Sequence, residues 1–240
     1  MPPTKKNNKS MRKKQNRNKK NKKQTMSVAK VAKIAKKTMI KQVESKRVDY
    51  GYARFAAYHN GGTTGINGCP IYFLTDTAYL PMQGTGDSQR IGNDIYAIGW
   101  TLRFQINIPS DRLNTKFRVM VLRVNKGYSV SGYTNIFDNI TGNIMLDPVD
   151  KDRIKVLKTL YVGAENINPG VPTTGKEITL YRKIFIPFNK TIKFYDDGTQ
   201  QNNLAYDYYL ITCAYDTYGS LNSDIVGYIQ PWLRLTYKDL

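Results

Sequence analysis

The sequence has one histidine, His59, and two cysteines, Cys69 and Cys213, in 240 residues. With so few soft ligands and no Cys-x-x-Cys spacing, the ordinary transition-metal clusters are excluded and no structural zinc is expected. Both cysteines have apolar neighbours, which favours buried thiols over a disulfide or redox chemistry. No run approaches the ~18 consecutive apolar residues of a spanning helix, and the first residues lack the apolar core of a secretion signal. Neither a membrane-spanning nor a conventionally secreted chain is expected. Acid is almost missing from one end: among residues 1 to 47 only Glu44 is acidic, against 18 Lys and Arg, while the other 193 residues carry 19 basic and 17 acidic side chains. The formal charge of +19 divides into +17 and +2, so the chain reads as a basic arm, residues 1 to 47, and a body, residues 48 to 240.

The arm has little to bury. Residues 1 to 25 contain 11 Lys or Arg, no acid, no aromatic and, after the first methionine, Met11 as the one apolar residue. That is too little apolar surface to offset the entropy of ordering, so this stretch is expected to be disordered when free. Residues 26 to 41 differ. Ser27 is placed to cap a helix in which Val28, Val31, Ala32, Ala35 and Met39 recur at helical spacing and Lys30, Lys33, Lys37 and Lys41 fall on another face. Such a segment is suited to folding as a cationic amphipathic helix on binding.

A dense, sequence-poor run of lysine contacts phosphate by charge alone and releases counterions, without reading bases. The candidate nucleic-acid-binding residues are Lys5, Lys6, Lys9, Arg12, Lys13, Lys14, Arg17, Lys19, Lys20, Lys22, Lys23, Lys30, Lys33, Lys36, Lys37, Lys41, Lys46 and Arg47. The cluster from Lys19 to Lys23 also fits a nuclear localisation signal, a use compatible with the tether. A membrane-surface helix or presequence would favour Arg or bulky apolar residues over this mixture of Lys and Asn. A solvated solubility tail needs far fewer charges.

The body is long enough for one good core. Its clearest element is YAIGWTLRFQINI, where Tyr96, Ile98, Trp100, Leu102, Phe104, Ile106 and Ile108 alternate with Ala97, Gly99, Thr101, Arg103, Gln105 and Asn107. This predicts a long strand with its even-numbered side chains in the core. Further β-rich runs lie near residues 48 to 59, 70 to 80, 116 to 125, 153 to 162, 177 to 188, 205 to 216 and 225 to 237, separated by Gly, Pro, Asn and Asp clusters. About eight strands with no helical pattern longer than three turns between them point to an antiparallel sandwich rather than βαβ units. The connections at 126 to 152, 163 to 176 and 189 to 204 exceed hairpin length, which marks them as functional or interface-forming.

Enzyme motifs do not assemble. GTGDSQRIG, residues 84 to 92, is not followed by Gly-Lys-Ser/Thr and misplaces the third glycine of a dinucleotide loop. Ser88 has Arg90 where a nucleophile elbow needs glycine, and His59 is far off in sequence. Asp147, Asp150 and Asp152 suggest Ca²⁺, but Lys151 and Arg153 interleave with them and Pro148 breaks the spacing, so a salt-bridged loop is expected. No catalysis and no cofactor are anticipated. Tyr50, Tyr52, Arg54 and Tyr58 alternate on one strand face, a secondary nucleic-acid candidate through base stacking. Tyrosines on a strand are more often plain packing.

Several stretches in order carry a resemblance: the Lys/Arg-rich start, GTGDSQRIGNDIYAIGWTLRFQI, FRVMVLRVNKG, MLDPVDKDRIKVLKTLYVG, KIFIPFNKTIKFYDDG, YYLITCAYD and a final LRLTYKDL. Together, over most of the body, they resemble capsid proteins of circular Rep-encoding single-stranded DNA viruses, circovirus-like. The resemblance implies a single eight-stranded antiparallel jelly roll with an internal basic arm. It implies self-assembly of about 60 copies into a small T=1-like icosahedral shell. It also implies a packaged circular single-stranded DNA genome, contact with host nuclear import factors and an unidentified host receptor, and residence in the virion and, during assembly, the host nucleus. The arm cations named above are the residues it carries over. This arm is rich in Lys and Asn where circovirus arms are dense in Arg. Composition leaves open the capsid of a small RNA virus or satellite, a cellular β-barrel that binds nucleic acid, and a jelly-roll lectin or hydrolase.

Overall fold

The computed structural model describes residues 28–61, 70–128, 130, 135–138, 143–163, 177–195, 201–217 and 220–240. They fall in two units, Met1–Val43 and Glu44–Leu240.

In the first unit Val28–Gln42 form helix α1, as the spacing of apolar residues predicts; Ser27 lies outside the described residues. Alanine and lysine are good helix formers, and Lys41 in the last turn complements the helix dipole. The helix buries none of its residues: Val28, Val31, Ile34 and Met39 are all exposed. With no packed face, its stability comes from local propensity and end effects, which are marginal for about 15 residues in water.

Among its described residues the second unit holds nine strands: β1 (Lys46–Gly51), β2 (Phe55–Tyr58), β3 (Ile71–Phe73), β4 (Asp94–Ile108), β5 (Thr115–Asn125), β6 (Ile154–Gly163), β7 (Ile178–Lys193), β8 (Tyr206–Asp216) and β9 (Ile225–Asp239). One sheet runs β1-β9-β4-β7, with β2 also on β9, and the other runs β3-β8-β5-β6. All these pairings are antiparallel. Taking β1 and β2 as one strand, the first pairs with the last, the second with the seventh, the third with the sixth and the fourth with the fifth. That is one long hairpin rolled into two sheets, an eight-stranded jelly roll.

The core between the sheets is built from alternating residues. On β4 these are Trp100, Leu102, Phe104, Ile106 and Ile108, with Leu233, Leu235 and Tyr237 of β9 and Phe117, Val119 and Val121 of β5. Trp100 is wholly buried against Phe188 and Tyr208, with ring centroids 4.7 and 5.2 Å away. The even-numbered face predicted for β4 holds from Trp100 onward and fails before it. There Ile95 and Ala97 are buried while Tyr96 and Ile98 turn partly outward. The ladder to β9 passes from Ala97↔Tyr237 to Gly99↔Thr236, so Ile98 is an extra residue, a β-bulge that reverses the alternation. Gly99 is required beside it: a Cβ there would lie 2.4 Å from the Ile186 carbonyl oxygen and 2.9 Å from the Phe185 ring.

The run predicted at 48 to 59 is two strands. Pro231 of β9 accepts from the Tyr52 N–H at 3.1 Å but has no N–H to return, and pairing lapses over 52–54 before β2 resumes at Phe55↔Ile229. The run at 70 to 80 shortens to β3. Thr75 Oγ1 takes the Tyr208 N–H at 3.1 Å, and Asp76 caps a 3-10 turn, Thr77–Tyr79, through the Ala78 N–H at 3.0 Å. In contrast β7 outruns its prediction to Lys193, because Asn189, at φ 52°, absorbs an irregularity within the strand. The connection predicted at 189 to 204 shrinks accordingly.

The connection at 126 to 152 has an internal role. Val130, Ile136, Phe137, Ile144 and Val149 cover the outward side chains Met120, Leu122 and Val124 of β5 and Tyr209, Ile211 and Cys213 of β8, forming a second core outside the sandwich. Arg118 of β5 locks this layer down, donating to the carbonyls of Ile144 at 2.9 Å and Asp147 at 2.8 Å while its guanidinium lies 5.3 Å from the Phe137 ring centre. Cys213 is buried there; Cys69 and the connection 164–176 lie outside the described residues.

Candidate nucleic-acid interface

Of the arm cations, Lys5, Lys6, Lys9, Arg12, Lys13, Lys14, Arg17, Lys19, Lys20, Lys22 and Lys23 lie outside the described residues. Lys30, Lys33, Lys36, Lys37 and Lys41 are exposed along α1, which carries no carboxylate. The last two arm residues lie in a strand of the body. Lys46 and Arg47 open β1, and Lys46 Nζ is 2.9 Å from Asp239 Oδ2 and donates to the Gln89 carbonyl at 2.9 Å. Charge alone sets the boundary after Arg47, whereas strand pairing from Lys46↔Tyr237 sets it before Lys46.

Tyr50, Tyr52, Arg54 and Tyr58 do not share a face. Tyr50 and Tyr52 pack inward: Tyr50 meets Tyr79 at 5.1 Å between ring centroids, and Tyr52 meets Tyr72 at 4.9 Å and Tyr79 at 5.0 Å. Burial, before any neighbouring charge, pushes the Tyr52 and Tyr72 phenols well above the ordinary tyrosine range. Arg54 instead lies 3.9 Å over the Tyr228 ring on the outer side of the sheet, and Tyr58 is half-buried on β2. The irregular backbone at 52–54 breaks the alternation on which the single-face reading depends.

The three aspartates do not converge on a cation. Asp147 is buried, whereas Asp150 Oδ1 accepts from the Asp152 and Arg153 N–H groups at 2.9 and 3.3 Å, the geometry of an Asx turn. Arg153 Nε stands 3.9 Å from Asp150, a loose ion pair in that loop. Among the described residues no cluster of His, Cys, Asp and Glu is arranged to hold a metal ion.

His59 sits in the nearest arrangement to a catalytic cluster, beside Asp216 and Ser220, yet the hydrogen bonds run the wrong way for a nucleophile. Its Nδ1 accepts the Asp216 backbone N–H at 3.1 Å, and Ser220 Oγ donates to Asp216 Oδ2 at 2.5 Å rather than to the imidazole. Arg112 joins Asp224 at 3.2 Å and Asp216 at 3.9 Å, tying the chain before β9 to β8. Burial lowers the His59 pKa below 6.5, against Asp216 and Asp224, which raise it, and with Arg112, which lowers it.

Burial thus disfavours the charged imidazole in the native state, so protons bind preferentially to the unfolded chain. The stabilisation is complete above pH 6.5 and is lost as pH falls through 6.5 toward the lower folded value. Since this is the chain's one histidine, urea midpoints should fall between pH 7.5 and 5.5, and His59→Asn should flatten that slope. Asp207, whose carboxyl burial raises, acts in the opposite sense at lower pH. An unchanged slope in His59→Asn would show that another group titrates.

No family model matches this chain, and no curated protein does. Solved viral structures are similar to it. A chain of infectious bursal disease virus, Gx strain, is 14% identical over 81% of this chain and 32% of its own length, with a TM-score of 0.30. A chain of sacbrood virus of honeybee is 12% identical over 81% of this chain and 87% of its own, TM-score 0.33. One of Desmodium yellow mottle tymovirus is 10% identical over 82% and 87%, TM-score 0.32. This chain spans about a third of the bursal disease virus chain. At these scores the likeness carries no functional weight, and the jelly roll stands on its own strand order.

Proposed function

We propose that this chain is a structural viral coat protein, circovirus-like, whose body assembles as about 60 copies into a T=1-like shell. In this reading the basic arm packages a circular single-stranded DNA genome and is read by host nuclear import factors. The observation that carries it is the joining, in one chain, of an eight-stranded jelly roll to a segment of 43 residues with 16 Lys and Arg and no acid. Jelly rolls serve as coats, lectins and cupin enzymes, so the fold alone does not choose among them. The arm supports the coat, because polyanion binding by charge density has no use in a lectin pocket. The ordered stretches from GTGDSQRIG to LRLTYKDL support the DNA virus.

Electron microscopy of the expressed full chain should reveal closed shells of one size. Monomers or dimers at micromolar concentration would overturn the coat reading. Because the arm binds by charge alone, the genome is read from particles purified from infected tissue rather than from expressed shells: their nucleic acid should be degraded by DNase, and contents that yielded only to RNase would make it the coat of an RNA virus.

A further inference from the structure

The outer face of the β1-β9-β4-β7 sheet carries large aromatics and cations that the sandwich does not need. Arg103 of β4 stands directly opposite Trp232 of β9 on one side and Lys183 of β7 on the other. Its guanidinium lies 5.0 Å from the Trp232 ring centre, and that of Arg234 lies 4.8 Å from the same ring. Flanking Lys183 on β7, Tyr181 is 69% and Phe185 51% exposed. A groove of about 490 Å³ runs among Arg103, Tyr181, Lys183 and Trp232.

Two features of this face ask for an anion with flat rings. Like charges directly opposite on neighbouring strands destabilise a sheet, and Arg103↔Lys183 is such a pair. The acid beside them, Asp49, is already held by Arg234 in a two-pronged pair at 2.6 and 2.8 Å, and among the described residues no carboxylate forms an ion pair with Arg103 or Lys183. Along β7 the order Tyr181, Lys183, Phe185 places ring, cation, ring on one side of the strand, about 7 Å apart at each step. Rings accept base faces without regard to sequence, and the cations between them meet phosphate. A second copy of this face would bring the same positive sign against it, which disfavours a self-contact.

We propose that this sheet face is a second single-stranded DNA site, where bases stack on Tyr181, Phe185 and the guanidinium-flanked Trp232 while Arg103 and Lys183 hold the phosphates. The inference rests on the packaging role proposed above and extends it from charge alone to base stacking.

The test uses the full chain and two ligands of equal length, oligo(dT) and an abasic deoxyribose phosphate oligomer. Of the two tryptophans Trp100 is wholly buried, so oligo(dT) should quench the emission of Trp232, and Trp232→Phe should abolish the change. Tyr181→Ala and Phe185→Ala, both at exposed positions, should each weaken oligo(dT) binding about tenfold and leave the abasic ligand unaffected. Lys183→Gln, which keeps the rings, should weaken both ligands. Near-ultraviolet circular dichroism confirms that each variant is folded. If oligo(dT) and the abasic ligand bound equally well, with no change in tryptophan emission and no effect of either ring, the arm would bind alone and this site would fall. If the wild-type chain bound neither ligand, the packaging role itself would fall first.

Discussion

Trp100→Asp is expected to leave no soluble folded protein, because the substitution acts twice on the same pocket. Loss of the indole removes the contacts with Phe188 and Tyr208, at a cost of about 3 to 5 kcal/mol for a large buried aromatic. The new carboxylate is then buried where even the neutral indole Nε1–H has no partner among the described residues. Desolvating it costs several kcal/mol more, or shifts its pKa far upward. The sum rivals the ~5 to 15 kcal/mol by which a whole domain is stable. Soluble yield and near-ultraviolet circular dichroism measure the outcome. Ile98→Asp supplies the control, since the bulge turns that side chain partly outward and the variant should remain folded. Equal failure of both variants would mean that the simple alternation runs through Ile98 and that the bulge is misplaced.

Much of the sandwich was legible because period-2 alternation is a local property. Trp100 to Ile108 announce their buried face from sequence alone, and the runs that became β5, β8 and β9 announce themselves as strands. What escaped depends on a partner strand. The bulge at Ile98 is defined only by its pairing with Tyr237 and Thr236, and the break between β1 and β2 follows from a proline 177 residues beyond Arg54. The stretch FRVMVLRV is apolar on both sides, yet nothing in it says that Val130, Ile136, Phe137, Ile144 and Val149 will cover its outer side. Arg118, one of two arginines in that stretch, was a usable signal, since an arginine in an apolar strand must find acceptors when buried.

The arm was legible through its charge, and its boundary was not. A positive run does not reveal that its last two cations belong to a strand, because Lys46 is indistinguishable from Lys41 until Asp239 is brought beside it. The stacking residues on the outer sheet face were invisible for a related reason. Arg103, Lys183 and Trp232 are 80 and 49 residues apart along the chain and meet only through register.

Removing residues 1 to 43 should leave a folded body and take most of the nucleic-acid affinity with it. The cut falls before Glu44 so that β1 keeps its six pairings with β9 and Lys46 keeps Asp239. The segment removed carries +16 of the formal +19 and no buried side chain among its described residues, and both hydrophobic clusters are built from Val48 onward. The slope of log affinity against log salt tracks the phosphates neutralised, at about 0.7 per contact on single strands. Sixteen contacts would give a slope on the order of 11, and the truncated body, at +3, should fall to a small fraction of that, with affinity at low salt down by on the order of a thousandfold. Within the full chain, replacing Lys13, Lys14, Lys19 and Lys20 by Gln should lower the slope by about 3 and weaken all sequences alike, because phosphate contacts carry no base information. What binding the truncated body retains should depend on bases and keep only the small salt slope of the few phosphate contacts made by Arg103 and Lys183. A truncated body that bound single-stranded DNA with undiminished affinity and slope would show that the arm is not the tether.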